Sequence, residues 1–121
     1  MSQNPINLAL RFLLEIIALV AIGAVAKAEF PGVLGFILMI TLPLFAAVVW
    51  GVFNVPGDPS RSGKAPVPVP GIVRLFIEFD IFGSATWALF SLNPTYGWIF
   101  SLVVLAHYAL SYDRIAWLLK R

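Results

Sequence analysis

Two copies of an Arg-x-x-x-Glu motif supply the residues in this sequence that are best suited to chemistry. Arg11 precedes Glu15 by four positions, and Arg74 precedes Glu78 by the same spacing. Residues four apart lie on one face of a helix, so each motif can form an ion pair. Both motifs lie in apolar stretches, where a charged side chain is costly unless it has a partner or a task. The pattern therefore predicts an ionic cluster inside an apolar protein.

Further polar residues lie where they could join this cluster. Asp80 follows Glu78 by two positions, which places it about 200° around the helix and toward a different neighbour. His107, Ser111 and Arg114 share one face of the last apolar stretch. Antiparallel packing of the apolar stretches would bring these side chains to similar depths. The predicted cluster comprises Arg11, Glu15, Arg74, Glu78, Asp80, His107 and Arg114.

A structural role is the first chemistry that this cluster could serve. Arg–Glu bridges, exchanged as Arg11–Glu78 and Arg74–Glu15, would lock the helices together. Three arginines against three carboxylates, with Asp80 counted as the third, favour this interpretation because the charges balance.

Proton transfer and metal binding are the alternatives. Intramembrane carboxylates with a histidine are typical of proton or cation sites, and an Asp80–His107 contact could exchange a proton near neutral pH. Metal ligation would need more ligands, because the chain has one histidine and no Glu-x-x-His motif. We therefore predict no metal site.

Catalysis and cofactor binding have little support in the sequence. The chain has no cysteine, which excludes thiol catalysis and thiolate metal sites. Its serines lie in no recognisable catalytic motif. We predict that the protein is not an enzyme and has no cofactor.

The elements that must position the cluster are long apolar runs. The chain is 60% hydrophobic and 12% charged, against about 25% charged residues in a soluble domain. With their flanks, the runs reach the roughly 20 residues that a spanning helix needs. The sequence predicts an all-α, polytopic protein, a single four-helix bundle over 1–121 in the lipid bilayer. The predicted transmembrane helices cover about 5–28, 32–53, 70–91 and 95–117.

The distribution of basic residues predicts the orientation. Seven of the eight Lys and Arg residues lie on the side of the termini and the 54–69 loop, and Lys27 lies on the other side. The positive-inside rule then predicts that both termini are cytoplasmic. The seven are Arg11, Arg61, Lys64, Arg74, Arg114, Lys120 and Arg121. The sequence pI of about 9.3 thus reflects orientation, and no nucleic-acid partner is predicted.

Prolines mark two further features. Pro66, Pro68 and Pro70 favour an extended polyproline segment in the cytoplasmic loop, which is either a plain linker or a docking motif. Pro43 removes one backbone hydrogen bond of the second helix, and Thr41 is expected to satisfy a carbonyl that this frees. The resulting kink is either a packing feature or a gating hinge.

When the sequence is aligned with itself at one fixed offset, several scarce residue types coincide. It pairs Arg11 with Arg74, Glu15 with Glu78, and Pro31 with Pro94. Overall identity under this shift is poor, so coincidence is the alternative. A genuine repeat would consist of two parallel helical hairpins related by an axis along the membrane normal.

Three segments resemble the YrdB family of small bacterial membrane proteins. They are Asn-Leu-Ala-Leu-Arg-Phe-Leu-Leu-Glu at 7–15, the Arg74-x-x-x-Glu78 motif, and Leu-Pro-Leu-Phe-Ala-Ala-Val-Val-Trp-Gly-Val-Phe at 42–53 before a Pro-rich loop. The last segment is the most specific, and the resemblance covers nearly the full length. It implies a bacterial four-helix protein of the cytoplasmic (inner) membrane, and it brings no catalytic residues, because the family is uncharacterised.

Two functions remain open from the sequence. The first is a structural or accessory membrane subunit, acting as a homo-oligomer or with a membrane protein partner. The second is a small proton- or cation-coupled transporter or channel. A water-filled path to Glu15 and Glu78 would favour transport, whereas complete charge pairing in a dry interior would favour the structural role.

Overall fold

The computed structural model describes residues 4–58 and 64–121, and it is almost entirely helical. The helices are α1 (Pro5–Glu29), α2 (Gly32–Val52), α3 (Gly71–Leu92), α4 (Pro94–Leu110) and α5 (Tyr112–Leu119). Two short strands, β1 (Phe53–Asn54) and β2 (Val67–Pro68), pair in parallel. The prediction of an all-α protein is confirmed.

Local sequence signals explain where α1 and α4 begin. The Asn4 side chain accepts a hydrogen bond from the Ile6 backbone N–H at 2.9 Å, and Asn93 accepts one from Thr95 at 3.0 Å. In each case a proline follows as the first helical residue. An Asn cap satisfies a backbone donor that the helix leaves open, and proline has no such donor.

The last predicted helix is two helices in the structure. α4 and α5 are bent by 68° at Ser111, whose φ of −101° and ψ of 25° depart from helical values. The Ser111 N–H is shared between the carbonyls of His107 and Tyr108. Three helices, α1, α2 and α3, are long and apolar enough to cross a membrane, and the α4–α5 pair would be a fourth span if it counts as one.

Small residues form the part of the hydrophobic core that lies between α1 and α3. Ala18 and Ala21 on α1 and Ala85 and Ala88 on α3 are all at most 3% exposed. Their spacing of three residues puts each pair on one face. Small side chains let two helices approach closely, which is how apolar helices pack when lipid surrounds them.

α2 packs mainly along α1 and runs through Pro43 as one helix. A Cβ at Gly23 would lie 2.8 Å from the Met39 carbonyl oxygen and 3.2 Å from Pro43 Cγ. Pro43 deprives that same carbonyl of its helical partner, so Pro43 takes part in the α1–α2 contact. Thr41 is exposed and makes no hydrogen bond within the described residues, so the expectation that it satisfies a freed carbonyl is wrong.

The segment between α2 and α3 folds over one end of the bundle. Val55 is 2% exposed and packs with Leu75 of α3 and Leu118 of α5. The Val69 N–H donates to the Asn54 carbonyl at 3.0 Å, beside the β1–β2 pairing. The described part of this loop is thus packed against its own helices. Residues 59–63, which include Arg61, lie outside the described residues.

Candidate functional site

Glu78 lies at the centre of a buried ionic cluster. Its side chain is fully buried. Arg74 Nε donates to Oε2 at 2.8 Å, Arg11 Nη2 lies 2.9 Å from Oε2, and Arg114 Nη1 donates to Oε1 at 2.9 Å. Tyr108 adds a hydroxyl donor to Oε1 at 2.8 Å. One carboxylate therefore joins guanidinium groups from α1, α3 and α5.

Asp58 is the second anchor of this cluster. Arg114 Nε donates to Oδ1 at 2.9 Å and Nη2 donates to Oδ2 at 2.6 Å. Such two-pronged geometry is the strong form of the Arg–carboxylate contact. Since Arg114 Nη2 also donates to Glu78 Oε2 at 2.7 Å, Arg114 ties the loop after α2 to the centre of the cluster.

Arg74 connects the cluster to the end of α2. Its Nη1 donates to the Trp50 carbonyl at 2.6 Å and to the Phe53 carbonyl at 2.9 Å. The last carbonyls of a helix have no partner within the helix, and they carry partial negative charge. Arg74 satisfies these carbonyls while its Nε stays on Glu78.

Arg11 has both ionic and aromatic neighbours. Its Nε donates to Glu15 Oε1 at 3.0 Å, as the spacing of four predicts. Its Cζ atom lies 5.5 Å from the ring centre of Trp50, 5.7 Å from Phe82 and 5.9 Å from Tyr108. These rings offer their faces to the cation, and all three belong to the hydrophobic core.

Three further polar side chains form a hydrogen-bonded chain beside the cluster. His107 Nδ1 lies 2.9 Å from Asn7 Oδ1, and Asn7 Nδ2 donates to Ser111 Oγ at 2.8 Å. All three residues are at most 5% exposed. His107 Nε2 is buried and makes no hydrogen bond within residues 4–58 and 64–121.

The charges in the cluster balance. Arg11, Arg74 and Arg114 face Glu15, Glu78 and Asp58, and apart from Glu15 each is at most 3% exposed. Burying a charge is costly unless partners and hydrogen bonds compensate it, and removing one partner of a buried pair costs about 3–5 kcal/mol. Such an arrangement holds elements together. No three His, Cys, Asp or Glu side chains in the described part of the chain are grouped so as to hold a metal ion.

Asp80 does not join the cluster, which corrects the prediction. It is exposed and lines a groove between α1, α2 and α3. The predicted Asp80–His107 pair is absent, because His107 bonds to Asn7 from another side of the bundle. α3 turns Glu78 toward α1 and α5, and a residue two positions later must then face away.

Asp58 is the charged member of the cluster that the sequence analysis missed. It lies in the loop after α2, outside every predicted helix, so helical spacing could not place it. Its residue type could have suggested a role as an arginine partner. It is the one acidic residue of the 54–69 loop, on the side where most basic residues lie. Helical periodicity relates residues within one helix, so it assigns Arg114 no partner from a loop.

Comparison with known proteins agrees with the resemblance noted in the sequence. The family model described as "Protein of unknown function (DUF2568)" matches residues 9–105. The chain is 44% identical over 119 residues to "Uncharacterized protein YrdB" of Bacillus subtilis (strain 168), covering 98% of this chain and 97% of that protein. No solved structure matches. This chain therefore belongs to the DUF2568 family of proteins of unknown function, as its likeness to YrdB indicated.

Proposed function

We propose that this protein is a non-catalytic membrane protein that serves as a structural or accessory subunit. Its ionic cluster locks the helices into one bundle. The observation that carries the proposal is the environment of Glu78. Its carboxylate contacts arginines from three helices and is fully buried. Charge pairing of this kind leaves no carboxylate oxygen of Glu78 free to carry a proton or cation.

The proposal includes four membrane spans in a single domain, with α4 and α5 together as the bent fourth span. Large apolar side chains cover the outside of the bundle, including Phe12, Val20, Ile40 and Leu105, each more than 60% exposed. Contiguous exposed apolar surface of this extent is typical of contact with lipid or another protein. The lipid bilayer is the proposed environment, and a second copy or another membrane protein is the proposed partner. We propose no nucleic-acid partner.

Two parallel hairpins, α1–α2 and α3–α4, are part of the same proposal. Both Arg-x-x-x-Glu motifs lie at one end of the bundle, and Arg11 and Arg74 both contact Glu78. At the other end, Pro31 precedes α2 and Pro94 begins α4. The halves differ in the cluster, because Glu15 lies at its edge with its side chain 14% exposed.

We further propose that the end holding the cluster faces the cytoplasm of a bacterial cell. A fluorescent protein fused after Arg121 should fluoresce, because it folds in the cytoplasm. Alkaline phosphatase at the same position should be inactive, and the same enzyme fused after Asn93, in the turn at the opposite end, should be active. The reverse pattern of phosphatase activity would contradict the orientation.

Reconstitution tests the structural role against transport. Vesicles that contain the purified protein should show the same proton and potassium leak as protein-free vesicles. Glu78→Gln should lower the protein's thermal stability and leave that leak unchanged. A proton or potassium flux that is above the protein-free level, and that Glu15→Gln or Glu78→Gln abolishes in folded protein, would overturn the proposal in favour of a transporter.

A further inference from the structure

A groove on the side of the bundle contains the carboxylate that the ionic cluster leaves out. α1, α2 and α3 line a cavity of about 790 Å³. Ligand sites for small molecules commonly have volumes of about 300–1,000 Å³. The groove lies outside the cluster, and its interpretation rests on the membrane location proposed above but not on the structural role of the cluster.

Asp80 gives this groove a charge at mid-depth. At 1.5 Å per residue, Asp80 lies about 14 Å from the start of α3, well inside a span of 22 residues. Its carboxylate forms no hydrogen bond or ion pair within the described residues. An ionisable side chain at this depth of a membrane helix is a candidate functional group by default, because burying it without a partner is costly.

Aromatic side chains line the groove that contains Asp80. Phe45 and Trp87 are 69% and 60% exposed there, whereas the ring of Phe79 packs against Tyr108 of α4 with ring centres 5.2 Å apart. The faces of aromatic rings attract organic cations, and they do so more strongly where water is excluded. Glu29 adds a second carboxylate at the end of the groove where α1 terminates. The negative charge of the carboxylates and the aromatic side chains of the lining together favour a ligand that is both cationic and apolar.

Other occupants fit less well. An acyl chain would fill the groove and leave Asp80 unpaired. A second copy of this chain brings no cation to mid-depth among its described residues. Outside the ionic cluster, the described basic residues lie near helix ends or in the loop, at Lys27, Lys64, Lys120 and Arg121.

We propose that this groove is a binding site for a lipophilic organic cation, with Asp80 as the counter-ion and Phe45 and Trp87 as the aromatic walls. The bound cation carries a delocalised or shielded positive charge on an aromatic or alkyl body. It enters from the lipid, on which the groove opens.

Binding of radiolabelled tetraphenylphosphonium to the full-length protein in phosphatidylcholine nanodiscs tests the proposal, with empty nanodiscs as the baseline. Tetraphenylborate has the same shape and the opposite charge. The wild type should bind the cation saturably and bind no tetraphenylborate above the baseline. Asp80→Asn should weaken cation binding about tenfold or more, whereas Asp80→Glu should retain it.

Two further variants test whether the cation binds in the groove and whether any loss of binding is specific to Asp80. Ser84→Phe keeps Asp80 and fills the groove, so it should also abolish saturable binding. Asp113→Asn removes an acidic side chain that lies outside the groove and should bind as the wild type does. Circular dichroism and gel filtration establish that each variant is folded.

Several results would overturn the proposal. They are absence of saturable binding to the folded wild type, equal binding of tetraphenylborate, and unchanged binding in Asp80→Asn. A further result would also overturn the proposal. If the wild type binds no cation and Asp80→Asn changes the oligomeric state in native mass spectrometry, the groove is a contact between copies of the chain.

Discussion

Glu78 and Asp80 lie two residues apart on the same helix, and they occupy opposite environments. Glu78 is fully buried and contacts arginines from three helices. Asp80 is exposed in an apolar groove and has no ion pair within the described residues. The two residues share their local sequence, so local sequence cannot explain the difference. A carboxylate in an apolar bundle is stabilised by the arginine side chains that other helices bring to it.

The two regions also differ in how their elements meet. At the cluster, α5 crosses the start of α3, and the loop after α2 closes over both through Val55 and Asp58. At the groove, α1, α2 and α3 line a cavity of about 790 Å³. We therefore expect substitutions at the cluster to destabilise the bundle and matched substitutions at the groove to leave it intact.

The largest expected effect comes from removing the charge of Glu78. Glu78→Gln leaves three guanidinium groups facing two carboxylates, and breaking a buried ion pair costs about 3–5 kcal/mol. Asp80→Asn is the matched control, and it should leave stability unchanged or raise it, because an unpaired charge is replaced by a neutral amide. Unfolding in mixed detergent micelles measures both. Equal losses for the two variants would contradict the contrast between the regions.

A smaller loss is expected at Asp58. Asp58→Asn removes the two-pronged acceptor of Arg114 but leaves Arg114 on Glu78. Hydrogen bonds to charged groups contribute about 1.5–3 kcal/mol each, and the asparagine amide retains one acceptor, so we expect a loss of about 2 kcal/mol in the free energy of unfolding. Asp113→Asn, on the exposed face of α5, is the control. A loss at Asp58 no larger than at Asp113 would show that the loop is not anchored through Arg114.

Glycines extend the comparison to packing. A Cβ at Gly71 would overlap the Leu118 carbonyl oxygen, whereas a Cβ at Gly83, beside the groove, would meet nothing within 4 Å. Gly71→Ala should destabilise the bundle by about 1–3 kcal/mol, the usual cost of overpacking. Gly83→Ala should be neutral or stabilise α3 by up to about 1 kcal/mol, because alanine favours helix. Thermal denaturation followed by circular dichroism distinguishes them, and destabilisation by Gly83→Ala would mean that the groove is closed.

The smallest expected term is the coupling between Arg11 and Glu78. The double variant Arg11→Gln with Glu78→Gln should lose less stability than the sum of the single variants, with a coupling of about 0.5–3 kcal/mol. The same cycle for Arg11 with Asp80, which do not contact, should be additive. Additive losses in the first cycle would argue against the 2.9 Å contact between Arg11 and Glu78.

Much of the helical architecture could be predicted from the sequence. α1 was expected over about 5–28 and α2 over 32–53, and the structure has Pro5–Glu29 and Gly32–Val52. Asn–Pro and Pro–Gly pairs mark these ends through local hydrogen bonds and backbone restrictions. The break at Ser111 could not be predicted, because no proline or glycine marks it. The bend lets α5 pack against the start of α3, where Leu118 meets Leu75 and Gly71.

By itself, the sequence determined the all-α class, the motifs of α1 and α3 and the family, because these depend on composition, spacing and residue identity along the chain. Which carboxylate completes the cluster was decided only by the tertiary structure. Helical spacing places Glu78 and Asp80 on different faces, but it does not say which face meets the other helices. In the folded protein, Glu78 points into the cluster, Asp58 contacts Arg114 from a loop, and Asp80 lies in the groove. The physical reason is that buried charge must be compensated in three dimensions, by partners far apart in the chain.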